Sequence, residues 1–189
     1  MLKTVTYEQF LIFNPCWLAT EAGRKRLKRY AVKREQWTAL DILALNRVSA
    51  EDRMWAVLRE EFIPAQLLHE FACRCAEWAL SKVVHPDSRS IAAIQAKRDW
   101  LDGKITDRDL EAAKDSAWAA VWDSAGTATW TAAWAATWAA AEAAARDAAW
   151  AAAEAAAEAA EMDAARKWQV QELTKMLAEY EEGEEDAAD

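Results

Sequence analysis

Apolar residues recur at helical spacing along most of this chain, and no stretch alternates apolar with polar residues as a half-buried strand would. Over residues 64–83, Leu67, Leu68, Phe71, Cys75, Trp78 and Ala79 line one stripe, with Pro64 well suited to a first turn. Ser49 is placed to cap residues 50–60, where Met54, Val57 and Leu58 share a face beside Trp55. His85-Pro86 breaks the pattern; Asp87 or Ser88 then opens a helix carrying Ile91, Ile94, Arg98 and Leu101, which Gly103 stops. Thr6 with Gln9 reads as a capping box for residues 7–13, and Thr106 with Asp109 opens residues 107–123. Residues 20–34 and 37–45 complete the predicted helices. With only 4 Gly and 3 Pro in 189 residues there are few turns. The expectation is an all-α bundle of about seven to nine helices ending in long Ala/Trp-rich helices.

The C-terminal half holds the most distinctive sequence. Trp-Ala-Ala-Ala-Glu-Ala-Ala-Ala stands at residues 138–145 and again at 150–157, inside an alanine tract over residues 132–160. Alanine is the strongest helix former, so the tract predicts helix. A helix so poor in Leu, Ile and Val buries area through its tryptophans or by close backbone approach. Trp130, Trp134 and Trp138, four apart, form a single stripe that either interdigitates with alanine surfaces or offers a stacking platform. One helix over residues 127–179 would be about 80 Å long, so it either breaks, near Arg146-Asp147, or projects to another subunit. The expected organisation is an N-terminal short-helix region at 1–62, a helical domain at 63–180 and an acidic disordered tail at 181–189.

Charge divides the chain. Residues 1–60 carry net +4, with Arg24, Lys25, Arg26, Lys28, Arg29, Lys33 and Arg34 clustered; residues 61–106 are neutral; residues 107–189 carry −13. That distribution argues against nucleic-acid binding by the whole surface. Three cysteines, Cys16, Cys73 and Cys75, make no disulfide framework and fit a reduced, cytoplasmic setting. The uncharged run 124–141 has the length of a membrane span, but its Ala, Thr and Trp would insert weakly, so no membrane association is expected.

Chemistry-bearing clusters are sparse. His69, Glu70 and Cys73 lie near one another, and His69 and Cys73 share a face at i,i+4; this reads as a half-buried histidine beside a core cysteine, because no second cluster supplies the remaining ligands of a zinc site. No glycine loop, nucleophile pair or catalytic carboxylate pair stands out, so no enzyme activity, metal or cofactor is expected. The candidate ligand-binding set is Arg89, Lys97, Arg98 and Trp100, joined by Trp130, Trp134 and Trp138. Arg89 stands at a helix N-terminus, where free N–H groups favour anions, or else it pairs with a nearby carboxylate.

Cys75-Ala76-Glu77-Trp78-Ala79-Leu80, then Pro86-Asp87-Ser88-Arg89, Ala92-Ala93-Ile94, Trp100, Gly103 and the alanine tract resemble the Imm-5-type immunity proteins of bacterial toxin–immunity systems. The resemblance covers residues 75–160. Phe13-Asn14-Pro15-Cys16-Trp17-Leu18 and Asp52-Arg53-Met54-Trp55-Ala56-Val57-Leu58-Arg59 look like a version carried by phages. The resemblance implies a helical protein that works by binding, without chemistry of its own. Two binding functions are expected, beside the plainer reading of a structural helical module that oligomerises through its Ala/Trp helix. One is sequestration of a toxin or defence protein, aided by the acidic half. The alternative is a phage sponge for a nucleotide second messenger, held by Trp stacking and Arg or Lys on phosphate. A homo-oligomer joined through the Ala/Trp helix is expected in either case.

Overall fold

A computed structural model describes residues 2–13, 19–32, 34–123 and 159–186. Among them are eight helices and one two-stranded ladder, so the protein is all-α apart from that ladder. The residues divide into two compact units. The first comprises Met1–Pro64 and Leu177–Asp189, the second Ala65–Met176. The Ala/Trp tract over residues 127–158, with Trp130, Trp134 and Trp138, lies outside the described residues, as does Cys16.

The first unit is built from short, individually capped elements. Strand β1 (Val5–Thr6) pairs antiparallel with β2 (Gln36–Trp37), Val5 opposite Trp37. Thr6 ends the strand and caps α1 (Tyr7–Ile12): its hydroxyl accepts from the Gln9 N–H, and the Gln9 side chain accepts from the Thr6 N–H. Thr20 caps α2 (Glu21–Ala31) through the Gly23 N–H. Thr38 and Asp41 form a second capping box that starts α3 at Ala39 (Ala39–Leu43), and Ser49 caps α4 (Ala50–Val57). Val5, Phe10, Ile42, Leu43, Met54, Val57, Phe62 and Ile63 are buried. No residue of α2 is fully buried.

Two expectations are corrected here. Trp37 belongs to a strand rather than to the start of a helix, because the Thr38–Asp41 box fixes the helix start after it. The helix expected over 50–60 stops at Val57, since Leu58 turns out of helical geometry at ψ 68°.

The second unit uses longer helices: α5 (Ala65–Leu80), α6 (Ser88–Leu101), α7 (Asp107–Asp123) and the part of α8 (Ala159–Asp186) up to Met176. Helix α6 packs on both α5 and α7. Asp87 caps α6, and Gly103, at φ 69°, closes it in the left-handed region that favours glycine. Ala93, Leu110 and Ala117 form a core cluster with Trp100 and Ile105 packed against it. Helix α8 meets α5 through Trp168, whose ring stacks on Trp78 at 5.4 Å and 19°. It also meets α5 through Glu172, which accepts from Arg74 Nη1. The helix runs on through Gly183 to Asp186, so the acidic segment expected to be disordered from residue 181 is helical that far.

Cys73 and Cys75 are fully buried on α5. Burial pushes the Cys73 thiol up to about 12, and Cys75 is raised well above its ordinary value by the same cause. The unfolded thiols ionise near ~8.5, so the folded state holds protons that the unfolded state has lost above that pH. Stability therefore falls as pH rises from about 9 toward 12, by up to ~1.4 kcal/mol per pH unit per thiol. Urea midpoints across that range are expected to decline, and less steeply in Cys73→Ala.

Candidate functional site

Helix α6 carries all four described residues of the candidate set, and its geometry separates them. Arg89 and Arg98 are nine residues apart, which places them about 180° apart around the helix and ~13 Å apart along it.

Arg89 is committed to two carboxylates. Its Nε and Nη2 donate to Asp87 Oδ1 and Oδ2 at 3.0 and 2.8 Å, and its Nη1 donates to Asp123 Oδ2 at the end of α7 at 2.8 Å. Asp87 Oδ1 also accepts the Arg89 backbone N–H at 2.8 Å, so one side chain caps the helix and holds its first arginine. The Arg89 hydrogen bonds keep the Asp87 carboxyl below the usual range, and Asp87 and Asp123 raise the guanidinium further above its own. The helix N-terminus is thus filled by the chain itself.

Arg98 faces α5. Its Nε and Nη2 donate to Glu70 Oε2 and Oε1 at 3.1 and 3.2 Å; its Nη1 and Nη2 also reach Glu77, the latter at 3.0 Å. Glu70 Oε1 accepts a further bond from Arg74 Nε at 3.0 Å, and Arg74 continues to Glu172. Two guanidiniums thus share three carboxylates. Burial lowers the Arg74 guanidinium, and Glu172 and Glu70 together outweigh it; Glu77 and then Glu70 likewise hold Arg98 above the ordinary guanidinium value. A phosphate entering this network would displace a carboxylate and meet the others.

Lys97 is fully buried, its Nζ 4.2 Å from the centre of the Trp100 ring. Trp100 donates its Nε1–H to Asp107 Oδ1 at 2.7 Å and meets the His69 ring in a T-shaped pair at 6.0 Å. Its ring is half-buried among the core residues of α6 and α7. Lys97 and Trp100 thus form an internal cation–π pair. His69 takes its place against that indole, and among the described residues no group of three or more His, Cys, Asp or Glu side chains could hold a metal ion.

Of the partners that organise these residues, Glu77, Glu172 and Asp123 were not singled out by the sequence as binding residues, and Glu70 stood out only beside His69 and Cys73, whereas in the structure it accepts from Arg74 and Arg98. Only Glu70–Arg74 left a readable signal, the i,i+4 spacing of opposite charges.

One concave surface does involve a candidate residue. A shallow groove of roughly 250 Å³ is floored by Leu80, Pro86, Ile91 and Ile94 and rimmed by Glu77 and Arg98. Ile91 is 51% exposed, and Val84, on the turn before α6, is 86% exposed. An apolar floor beside a rim of paired charges is the composition of a protein-contact surface.

Compared with family models, with curated proteins and with solved structures, the chain matches none. No helix among the described residues is long and apolar enough to cross a membrane.

Proposed function

We propose that this chain is a non-enzymatic binding protein that neutralises a toxin or defence effector of a bacterial or phage conflict system by sequestering it. The observation that carries this reading is the α5–α6 groove, apolar at its floor and rimmed by Arg98 and Glu77. A partner's apolar side chain can be seated there without breaking the ion pairs. The net charge of −13 over residues 107–189 suits a basic partner, by steering its approach. The Imm-5-type resemblance of residues 75–160 supplies the class of partner. The Ala/Trp tract joins copies into a homo-oligomer in this reading, and the reduced cysteines accord with a cytoplasmic setting.

The sponge alternative requires cations free to meet phosphate, and Arg89 and Arg98 are each engaged by two carboxylates. Melting temperature and tryptophan fluorescence against a panel of cyclic and linear nucleotides distinguish the two. The expected result is no shift with any of them. A rise of several degrees saturating at micromolar nucleotide would replace the protein-binding reading with the sponge. In cells expressing the chain under toxin or phage challenge, Ile91→Glu is expected to abolish protection while leaving the melting temperature within a degree or so, because the side chain is exposed. Undiminished protection by that variant would remove the groove from the function.

A further inference from the structure

The first unit contains a cavity of roughly 200 Å³ beneath α2, separate from every residue of the proposed protein-binding groove. Its wall is apolar and aromatic: Val5, Phe10, Leu27, Tyr30, Trp37 and Ile42 all line it, and Tyr30 meets Trp37 edge-on at 6.1 Å. For comparison, a dry apolar cavity of about 150 Å³ accepts a benzene molecule. The space is therefore sufficient for a single ring with a short substituent. Helix α2 faces it with Gly23, Leu27, Tyr30 and Ala31, all only half-buried, so the covering helix is incompletely packed on what lies beneath it.

The charged residues of the wall are Arg26, Asp52 and Arg53, which sum to one positive charge. Arg53 is the unusual one. Among the described residues its guanidinium makes one hydrogen bond, from Nη1 to the Leu43 carbonyl, and it meets no carboxylate. Its Nε–H is buried without an acceptor. An unsatisfied buried donor on a charged group is costly and is rare in folded proteins. The same chain shows what that edge of a guanidinium ordinarily holds: Arg89 binds Asp87, and Arg98 binds Glu70, each through Nε and Nη2 together. In Arg53 the equivalent edge has no such anion, and Nη1 is already anchored, which fixes the plane of the fork. Arg53 lines the cavity, and a turn about its last side-chain torsion that exchanges the Leu43 carbonyl for a ligand's carboxylate presents this edge to the ligand.

We propose that the cavity is a binding site for a small aromatic monocarboxylic acid. Its ring lies among Phe10, Leu27, Tyr30 and Trp37, and its carboxylate is received by Arg53. Arg26, exposed on α2 at the wall of the cavity, favours the approach of an anion, and the carboxylate of Asp52 disfavours a ligand with a second negative charge. A neutral isostere of the acid fills the same apolar space but leaves the Arg53 edge without its charged partner.

Calorimetric titration of the full chain with phenylacetate and with phenylacetamide tests this. Phenylacetate is expected to bind about tenfold or more tightly than the amide, because the two differ only in the charge presented to the guanidinium. Arg53→Gln is expected to erase that preference. Ala31→Phe, which fills the cavity from α2 and leaves Arg53 in place, is expected to block both compounds while circular dichroism stays that of the parent. Equal binding of acid and amide, or binding of neither, overturns the proposal. So does undiminished binding of phenylacetate to a folded Ala31→Phe variant, which would put the site elsewhere.

Discussion

Trp100→Ala is expected to lower the stability of the second unit by about 3–5 kcal/mol, among the largest effects of any single substitution here. Three separate losses combine. The ring leaves a void beside Ala93, Leu110 and Ala117. The hydrogen bond to Asp107 disappears. Lys97, which is fully buried with its Nζ 4.2 Å from the ring, also loses its aromatic face. Trp100→Phe separates these contributions. It keeps a ring near Lys97 and forfeits the N–H donor, so about 1 kcal/mol should go with the hydrogen bond. Urea unfolding monitored by far-ultraviolet circular dichroism measures both variants. An alanine variant with an unchanged midpoint would mark Trp100 as a surface contact residue.

The second large effect concerns α8. Leu173 is fully buried on that helix, one residue after Glu172, which pairs with Arg74. Leu173→Ala is expected to cost about 2–5 kcal/mol, the range for truncating a core leucine according to how far the site relaxes. Glu172→Ala, its neighbour, is expected to cost about 1 kcal/mol or less, because its ion pair is partly open to water and screened by salt. That contrast would identify burial, rather than the ion pair, as the larger contribution of α8 to stability, with the Trp78–Trp168 stack adding to the packing. Comparable losses from the two variants, both reduced at high salt, would reverse that ranking.

The features legible in the sequence were those that one turn of chain encodes. Thr6 with Gln9, Ser49, Asp87, and Thr106 with Asp109 act as caps because donor and acceptor are three residues or fewer apart. Gly103 ends α6 for an equally local reason. The β1–β2 ladder left no trace, since two residues per strand cannot establish an alternating pattern. The environment of the candidate site was also hidden. Arg98 meets Glu70 and Glu77 across 28 and 21 residues, and Arg74 meets Glu172 across 98. Those pairings depend on which helix faces which, and helical periodicity does not specify that. Lys97 misleads for a related reason: its charge suggests the surface, while its position beside Ala93 and Ile94 on the buried side of α6 carries it inside. Its long stem makes that burial possible.

The division of the chain has a consequence for its birth on the ribosome. The first unit is assembled from two separate stretches, Met1–Pro64 and Leu177–Asp189, whereas the second is contiguous in sequence. During vectorial synthesis every residue of the second unit is polymerised before the last segment of the first. The order of completion therefore inverts the order of the sequence: the part made earliest waits longest for its final helical turns. A premature stop after Met176 would remove Leu177, a fully buried residue of the first unit, while sparing every residue of the second.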